Sequence, residues 1–334
     1  MLKTDILIIG AGPVGLFTVF EAGLLKLKCH LVDSLPQPGG QLTEIYPKKP
    51  IYDIPGYPTV NAGELVDNLM KQIEPFKPTF TFGERAENLV QTEDKWYKIT
   101  TNRGTEISAP VVAIAGGLGS FEPRKPPLSN IQKFEDKGID YIIKDPQKFK
   151  GKKILVAGGG DSALDWTIIL ADIAEEVTMV HRRESFRGAI DSVEKVMELV
   201  KIGKVKLITN AQVTELKGNE KLEKVSIEVD GQTPFDVELD YFIPLFGLAP
   251  KLGPIGDWGL EIEDNAIKVN TYDYSTNRPG IYAIGDVNTY PGKLKLILCG
   301  FHEGTLMVQS AFKHIYPEQK LSFKYTTVVG VTGF

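Results

Sequence analysis

Cysteine is nearly absent. Only Cys29 and Cys299 occur in 334 residues, far apart. There is no Cys-x-x-Cys pair and no disulfide framework, so a dithiol relay of electrons is not expected. Both thiols are expected in the core, where free cysteine usually sits. Long apolar runs are missing too. None reaches the roughly 18–20 residues of a membrane span, and the chain enters a strand at once, so no signal peptide is expected. A soluble, cytoplasmic protein without a membrane partner is expected. Strong charge of one sign is also lacking: a net charge of −5 and a pI near 5.6 argue against nucleic acid as a partner. No metal-ligand set is expected. The remaining composition, 42% hydrophobic and 24% charged, is that of a globular chain, and 334 residues exceed what one core sustains. Two domains are therefore expected.

What is present is a repeated phosphate-binding turn. Gly10-Ala11-Gly12-Pro13-Val14-Gly15 follows the apolar run Ile6-Leu7-Ile8-Ile9, and Gly158-Gly159-Gly160-Asp161-Ser162-Ala163 follows Ile154-Leu155-Val156-Ala157. Each reads as strand, tight turn and helix start, in which glycines let the backbone approach a pyrophosphate lying on the helix N-terminus. At the same offset from the first glycine the two copies carry opposite chemistry. Asp33 ends the strand of the first repeat and suits ribose hydroxyls. His181 ends the matching strand of the second, followed by Arg182 and Arg183. A carboxylate repels a 2′-phosphate, whereas guanidiniums bind it bidentately. The first turn is thus expected to hold the adenosine half of FAD and the second to hold NADPH.

The rest of the chain arranges itself around these two units. A Pro/Gly-rich loop (36–40), a helix around Glu64–Ile73 and a strand Val111–Ala115 complete the first unit. Successive prolines after Phe121 bar a helix there. The second unit runs through the strand ending at His181 into β-rich segments and a strand from Tyr241. Late in the chain Ile281-Tyr282-Ala283-Ile284-Gly285-Asp286 reads as a short buried strand that presents Asp286 at a helix N-terminus, with a helix Gly304–His314 after it. The predicted fold class is α/β, with two Rossmann-like domains of the three-layer ββα type, the second inserted in the first. The boundaries read as 1–116 with 247–334 for FAD, and 117–246 for NADPH.

Together these residues resemble the two-dinucleotide-binding flavoproteins typified by thioredoxin reductase, over essentially the whole chain. Gly39-Gly40-Gln41 resembles that family's flavin-binding segment, Gly285-Asp286 its second flavin motif, and His181-Arg182-Arg183 with Arg187 its 2′-phosphate motif. The missing Cys-x-x-Cys is the departure. With Tyr46 in Ile45-Tyr46-Pro47 and a C-terminal extension, it makes the chain similar to the thioredoxin-reductase-like ferredoxin–NADP(+) reductases. The resemblance implies that Tyr46 stacks on one flavin face and that Tyr325 of the extension, with Thr326 beside it, covers the other. Phe334 competes with Tyr325 for that place. It further implies FAD contacts at Ala86 and Phe121, NADP contacts at Gly158, Gly160, Asp161 and Ser162, and a homodimer.

The chemistry these features imply is hydride transfer from NADPH to flavin and single-electron exchange with an iron–sulfur carrier, which needs no side-chain acid or base. No catalytic residue is therefore expected. Ferredoxins are typically acidic, so Lys48, Lys49, Lys293 and Lys295 form the candidate docking rim. Two alternatives stand beside this reading. One is a disulfide reductase using an external thiol; the other is a regulator that binds FAD and NADPH without turnover.

Overall fold

Ile6, Leu7 and Ile8 are each fully buried, because the strand they form is covered on both faces. The computed structural model describes residues 1–119, 122–249, 251–321, 326 and 330. In the first unit, β1 (Ile6–Ile9) leads to α1 (Pro13–Leu24), β2 (Cys29–Asp33), α2 (Ala62–Ile73) and β3 (Thr79–Phe82). A meander of β4 (Ala86–Gln91), β5 (Tyr97–Thr101) and β6 (Glu106–Ala109) follows, then β7 (Val111–Ile114). In the second unit β8 (Lys153–Ala157), α3 (Asp161–Leu170), β9 (Glu176–Val180), α4 (Ile190–Lys201) and β10 (Val205–Ile208) repeat the pattern. A second meander follows, β11 (Ala211–Lys217), β12 (Lys224–Val229) and β13 (Phe235–Glu238), and then β14 (Tyr241–Pro244). The chain returns to the first unit with β15 (Ile281–Ala283) and α5 (Ile297–Ile315). The compact units are Met1–Phe121 with Pro250–Phe334, and Glu122–Ala249. The fold is thus two Rossmann-like domains, one inserted in the other.

Among the described residues the first unit holds a five-stranded parallel sheet in the order β15-β7-β1-β2-β3. Side chains of β1 alternate between two cores. Ile6 and Ile8 pack with Leu16 and Val19 of α1, while Leu7 and Ile9 pack with Tyr97, Ile99 and Ile107 of the meander. A strand covered by helices on one face and a second sheet on the other must be apolar at every position, hence the unbroken Ile-Leu-Ile-Ile. The second unit repeats this with a four-stranded parallel sheet, β10-β9-β8-β14, whose Leu155 and Ala157 pack with Leu216, Val225 and Ile227. In both sheets the chain runs outward from the first strand and then returns to its other side. That reversal opens a crevice at the carboxyl ends of β1 and β8.

Two expectations shift. The late helix begins at Ile297, not Gly304, and Asp286 lies in a separate single turn, Gly285–Val287, ahead of it. Its first two turns were obscured by Lys293-Leu294-Lys295-Leu296, whose leucines are exposed. Helices α1 and α5 cross closely at Gly300 and Gly304: a Cβ on Gly300 would lie 2.3 Å from Val14 Cγ2, and one on Gly304 2.6 Å from Thr18 Oγ1. Gly300→Ala is therefore expected to destabilise the protein by about 1–3 kcal/mol, the range for overpacking. Adding Val14→Ala should restore part of that loss. Urea denaturation measures both, and an unaltered midpoint in the single variant would contradict the close crossing.

Candidate functional site

At the end of β1 the three glycines of the first turn differ in what surrounds them. A Cβ on Gly10 would stand 2.4 Å from Ala115 O, and one on Gly15 2.1 Å from Gly10 O. Neither position admits a side chain, because helix and strand pack backbone to backbone there. A Cβ on Gly12 would meet nothing within 4 Å. Gly12 is therefore the position where a side chain would fill open space in front of α1. Pro13 opens that helix at its first position and no side chain caps it, so the first-turn N–H groups are free for an anion. This is the cradle a pyrophosphate requires, and the residues fit a dinucleotide.

Asp33 closes the turn from the side. Its Oδ2 accepts from Ala11 N at 2.7 Å and its Oδ1 from Leu35 N at 2.9 Å. Burial raises the carboxyl above its usual range, and these two hydrogen bonds oppose the shift. Each oxygen keeps a second lone pair for a ribose hydroxyl. Ala86 is buried in the same apolar cluster as Ile9 and Val32. Gly39 N donates to Ala11 O at 2.8 Å, and a Cβ on Gly40 would lie 3.3 Å from Gly12 Cα. The Gly39-Gly40-Gln41 segment thus lies against the first turn, with Gln41 opening a short helix, Gln41–Glu44. The Gln41 amide points at Gly117, where a Cβ would be 3.6 Å away.

Tyr46 follows. Burial first, and then the charge of Asp286, push its phenol up to about 12. The chain brings together two residues 240 positions apart in separate motifs. Gly285 takes a left-handed φ of +76° and rests on Val14. Asp286, beside it, is raised by burial, an effect opposed by Lys293 and Lys295 and reinforced by Glu303. Of the remaining first-site candidates, Phe121, Tyr325 and Phe334 lie outside the described residues. Thr326 is described and exposed, and its carbonyl accepts from Gly330 N at 2.7 Å.

The second site is built the same way with different charges. A Cβ on Gly158 would meet Leu245 O at 2.7 Å, whereas one on Gly160 would meet nothing within 4 Å. Arg182, Arg183 and Arg187 are exposed, and none forms an ion pair among the described residues. Their backbone is pinned to the turn, since Arg187 N donates to Gly159 O at 2.8 Å and Ala189 N to Asp161 Oδ1 at 2.8 Å. Asp161 therefore spends one oxygen tying the arginine loop to the glycine turn. Ser162 is exposed at the start of α3. His181 departs from expectation: it follows the strand, is buried, and stacks on Phe186 with ring centroids 5.0 Å apart. Its ring fills the space a Gly159 side chain would need, the nearest atom 2.1 Å from a Cβ there. Burial lowers its pKa, and the neighbouring arginines lower it further. The hydrogen bond between the ring and the Ser185 carbonyl opposes that shift, and the ring stands between the arginine loop and the glycine turn.

The lysine rim also changes. Lys293 is not solvated: its side chain is 7% exposed, pairs with Glu303 and donates to Gly285 O at 2.9 Å. Lys48 and Lys295 are exposed, and the Lys49 ammonium lies 5.6 Å from the Tyr46 ring centroid. Glu303 is a further functional candidate that no sequence motif marks. A signal was available, since Gly300, Gly304, Met307, Val308 and Ala311 form the buried stripe of α5 and Glu303 falls on it. Cys29 is core, as expected, and burial drives its thiol far above the usual range. Cys299, expected in the core, is only half-buried because it sits in the exposed first turn of α5. Among the described residues no cluster of three or more histidine, cysteine or acidic side chains could hold a metal ion, and no helix is long and apolar enough to cross a membrane.

The profile of the pyridine nucleotide-disulphide oxidoreductase family matches residues 4–308. The chain is 67% identical to ferredoxin–NADP reductase 1 of Christiangramia forsetii, covering 100% of this chain and 96% of that one. It is 67% identical to the ferredoxin–NADP reductase of Flavobacterium johnsoniae, covering 100% and 95%. The ferredoxin–NADP reductase of a Bradyrhizobium species is 50% identical over 98% of this chain and 95% of that one. Among solved structures, thioredoxin reductase of Lactococcus lactis superposes with a TM-score of 0.82 at 26% identity, covering 94% of this chain and 100% of that one.

Proposed function

The chain belongs to the pyridine nucleotide-disulphide oxidoreductase family, and from that we infer that it is a ferredoxin–NADP(+) reductase, a flavoenzyme carrying electrons between NADPH and ferredoxin through FAD. The observation that carries this reading is the pairing of two glycine cradles of opposite charge with the absence of a dithiol. Asp33 borders the first cradle, and three exposed arginines without an ion pair among the described residues border the second. Cys29 is sealed in the core and Cys299 lies on α5, so a disulfide reductase's relay has no second thiol. Relatives named ferredoxin–NADP reductase at 67% and 50% identity support the same conclusion.

In this reading the unit Met1–Phe121 with Pro250–Phe334 is the FAD domain and Glu122–Ala249 the NADPH domain, a few residues beyond the bounds 1–116, 247–334 and 117–246 expected from the sequence. Bound FAD supplies the exchange between a two-electron hydride donor and a one-electron carrier. The protein's part is to bind, orient and exclude water. Gly12 leaves room for the FAD pyrophosphate, Asp33 receives the ribose, and Gly40, Gln41, Ala86 and Phe121 line the cofactor. Asp286 fixes its polar tail, and Tyr46 covers one face. Gly158, Gly160 and Ser162 place the NADPH pyrophosphate on α3, and Arg182, Arg183 and Arg187 hold its 2′-phosphate. No side chain moves a proton in the chemical step. Lys48 and Lys295 are proposed to meet the acidic carrier. The enzyme is read as cytoplasmic and homodimeric, and light scattering should give twice the 36.9 kDa of one chain. A mass near one chain at micromolar concentration would refute the dimer.

Acid or heat should release FAD from the yellow protein, and NADPH should bleach it; finding FMN or no flavin would overturn the assignment. Replacing both Arg182 and Arg183 by Ala removes charge-assisted pairs, each about 1.5–3 kcal/mol. The KM for NADPH should rise at least about tenfold while that for NADH barely moves. Equal losses for both nucleotides would make the arginines structural.

Tyr325 is proposed as the movable cover of the second flavin face, because one face must open to admit nicotinamide. Trimming the chain before Tyr325 should leave FAD bound, change NADPH-driven turnover and raise direct oxygen reduction. Unchanged turnover and unchanged oxygen consumption would exclude the tail as a cover.

A further inference from the structure

A carboxylate with no solvent exposure sits at the centre of the Gly285–Asp286 site. Glu303 is 0% exposed on the inward stripe of α5. A buried charge is strongly unfavourable unless it is paired and hydrogen-bonded, so its partners carry information. Four donors surround it. Gly285 N donates to Oε2 at 2.6 Å and Asn288 Nδ2 to the same oxygen at 2.8 Å. Tyr290 O–H donates to Oε1 at 2.9 Å, and the Lys293 ammonium closes the set on Oε1.

The ion pair grips one residue from both sides. Glu303 takes the N–H of Gly285, and Lys293 donates to the carbonyl of Gly285 at 2.9 Å. The next residue in the chain is Asp286. Asn288 is turned so that its amide N–H groups serve Ala283 O and Glu303, which leaves its buried Oδ1 without a partner among the described residues. An unpaired buried oxygen is tolerated to keep a donor on Glu303. Each oxygen of Glu303 thus accepts from two donors.

We propose that the Glu303–Lys293 pair is the positioning device of the Gly285–Asp286 turn and balances the charge felt by the flavin bound there. The inference rests on the FAD reading above. Neither residue touches the reacting atoms; both act through Asp286 and through the field they create. As a pair they add no net charge. Removing one partner leaves the other buried and uncompensated, and the sign of the leftover charge decides the direction of the effect. An unpaired Lys293 favours the reduced, more negative flavin, and an unpaired Glu303 disfavours it.

The test measures FAD affinity and flavin midpoint potential in Glu303→Gln, Lys293→Met, the double variant and Tyr290→Phe. Glu303→Gln should weaken FAD binding about tenfold or more, as expected when a buried charge loses its partner, and move the potential positive. Lys293→Met should move the potential negative, and the double variant should lie between the two. Tyr290→Phe, which removes one hydrogen bond and keeps the pair, should weaken FAD binding less than Glu303→Gln and covers the case in which the latter fails to fold. A merely structural pair would give shifts of one sign, or none, in the two single variants, and that result overturns the proposal. Unaltered FAD affinity in Tyr290→Phe together with an unaltered potential in Lys293→Met also overturns it. Wild-type protein that binds no FAD would instead remove the reading on which the proposal stands.

Discussion

The close approach of backbone to backbone where β1 meets α1 is the constraint on which the first domain depends. With a Cβ on Gly15 only 2.1 Å from Gly10 O, no side chain fits between helix and strand. The helix N-terminus is thereby brought within reach of a ligand at the sheet's carboxyl edge. Everything else in that site is referred to this point. Asp33 and Gly39 bond Ala11 inside the turn, Gly40 touches Gly12, and Gly285 leans on Val14. Three separated stretches of chain thus converge, and a Cβ on Gly40 or on Gly285 would lie 3.3 Å from an atom of the first turn.

The second domain reuses the geometry and alters the charge. Its turn leaves Gly160 open as Gly12 is open, yet the loop beyond β9 carries three solvent-facing guanidiniums where the first domain carries a carboxylate. Because the loop is anchored by Arg187 N and by Asp161, and packed on the His181 ring, the arginines are held in place by contacts that do not consume their charge. One architecture can therefore discriminate between two dinucleotides through a few residues at the end of one strand.

Legibility in the sequence follows what each feature depends on. Both Rossmann units could be read because β1 and residues 154–157 of β8 are buried and apolar throughout, and because Gly10, Gly15 and Gly158 leave no room for a side chain. Asp33, Gly40, Tyr46 and Asp286 were legible as motif positions. The packing of the His181 ring against Gly159 and Phe186 is not legible in the sequence, because it depends on tertiary approach. Lys293 was misread for a similar reason: lysine defaults to solvent, and only the fold shows Glu303 beneath it. Glu303 could have been found by asking why a carboxylate lies on the apolar stripe of a helix. The start of α5 was hidden by exposed leucines that break its amphipathic pattern.

The central claim is that electrons leave the flavin singly for an iron–sulfur carrier without passing through a protein thiol. The direct measurement is steady-state NADPH oxidation with ferredoxin and with oxidised thioredoxin from the same cell, compared for wild type and for a Cys29→Ser, Cys299→Ser double variant. Turnover with ferredoxin that the cysteine substitutions leave intact is expected, with negligible turnover on thioredoxin. Rapid thioredoxin reduction, or loss of ferredoxin reduction on removing the thiols of a still folded, flavin-loaded protein, would contradict the claim.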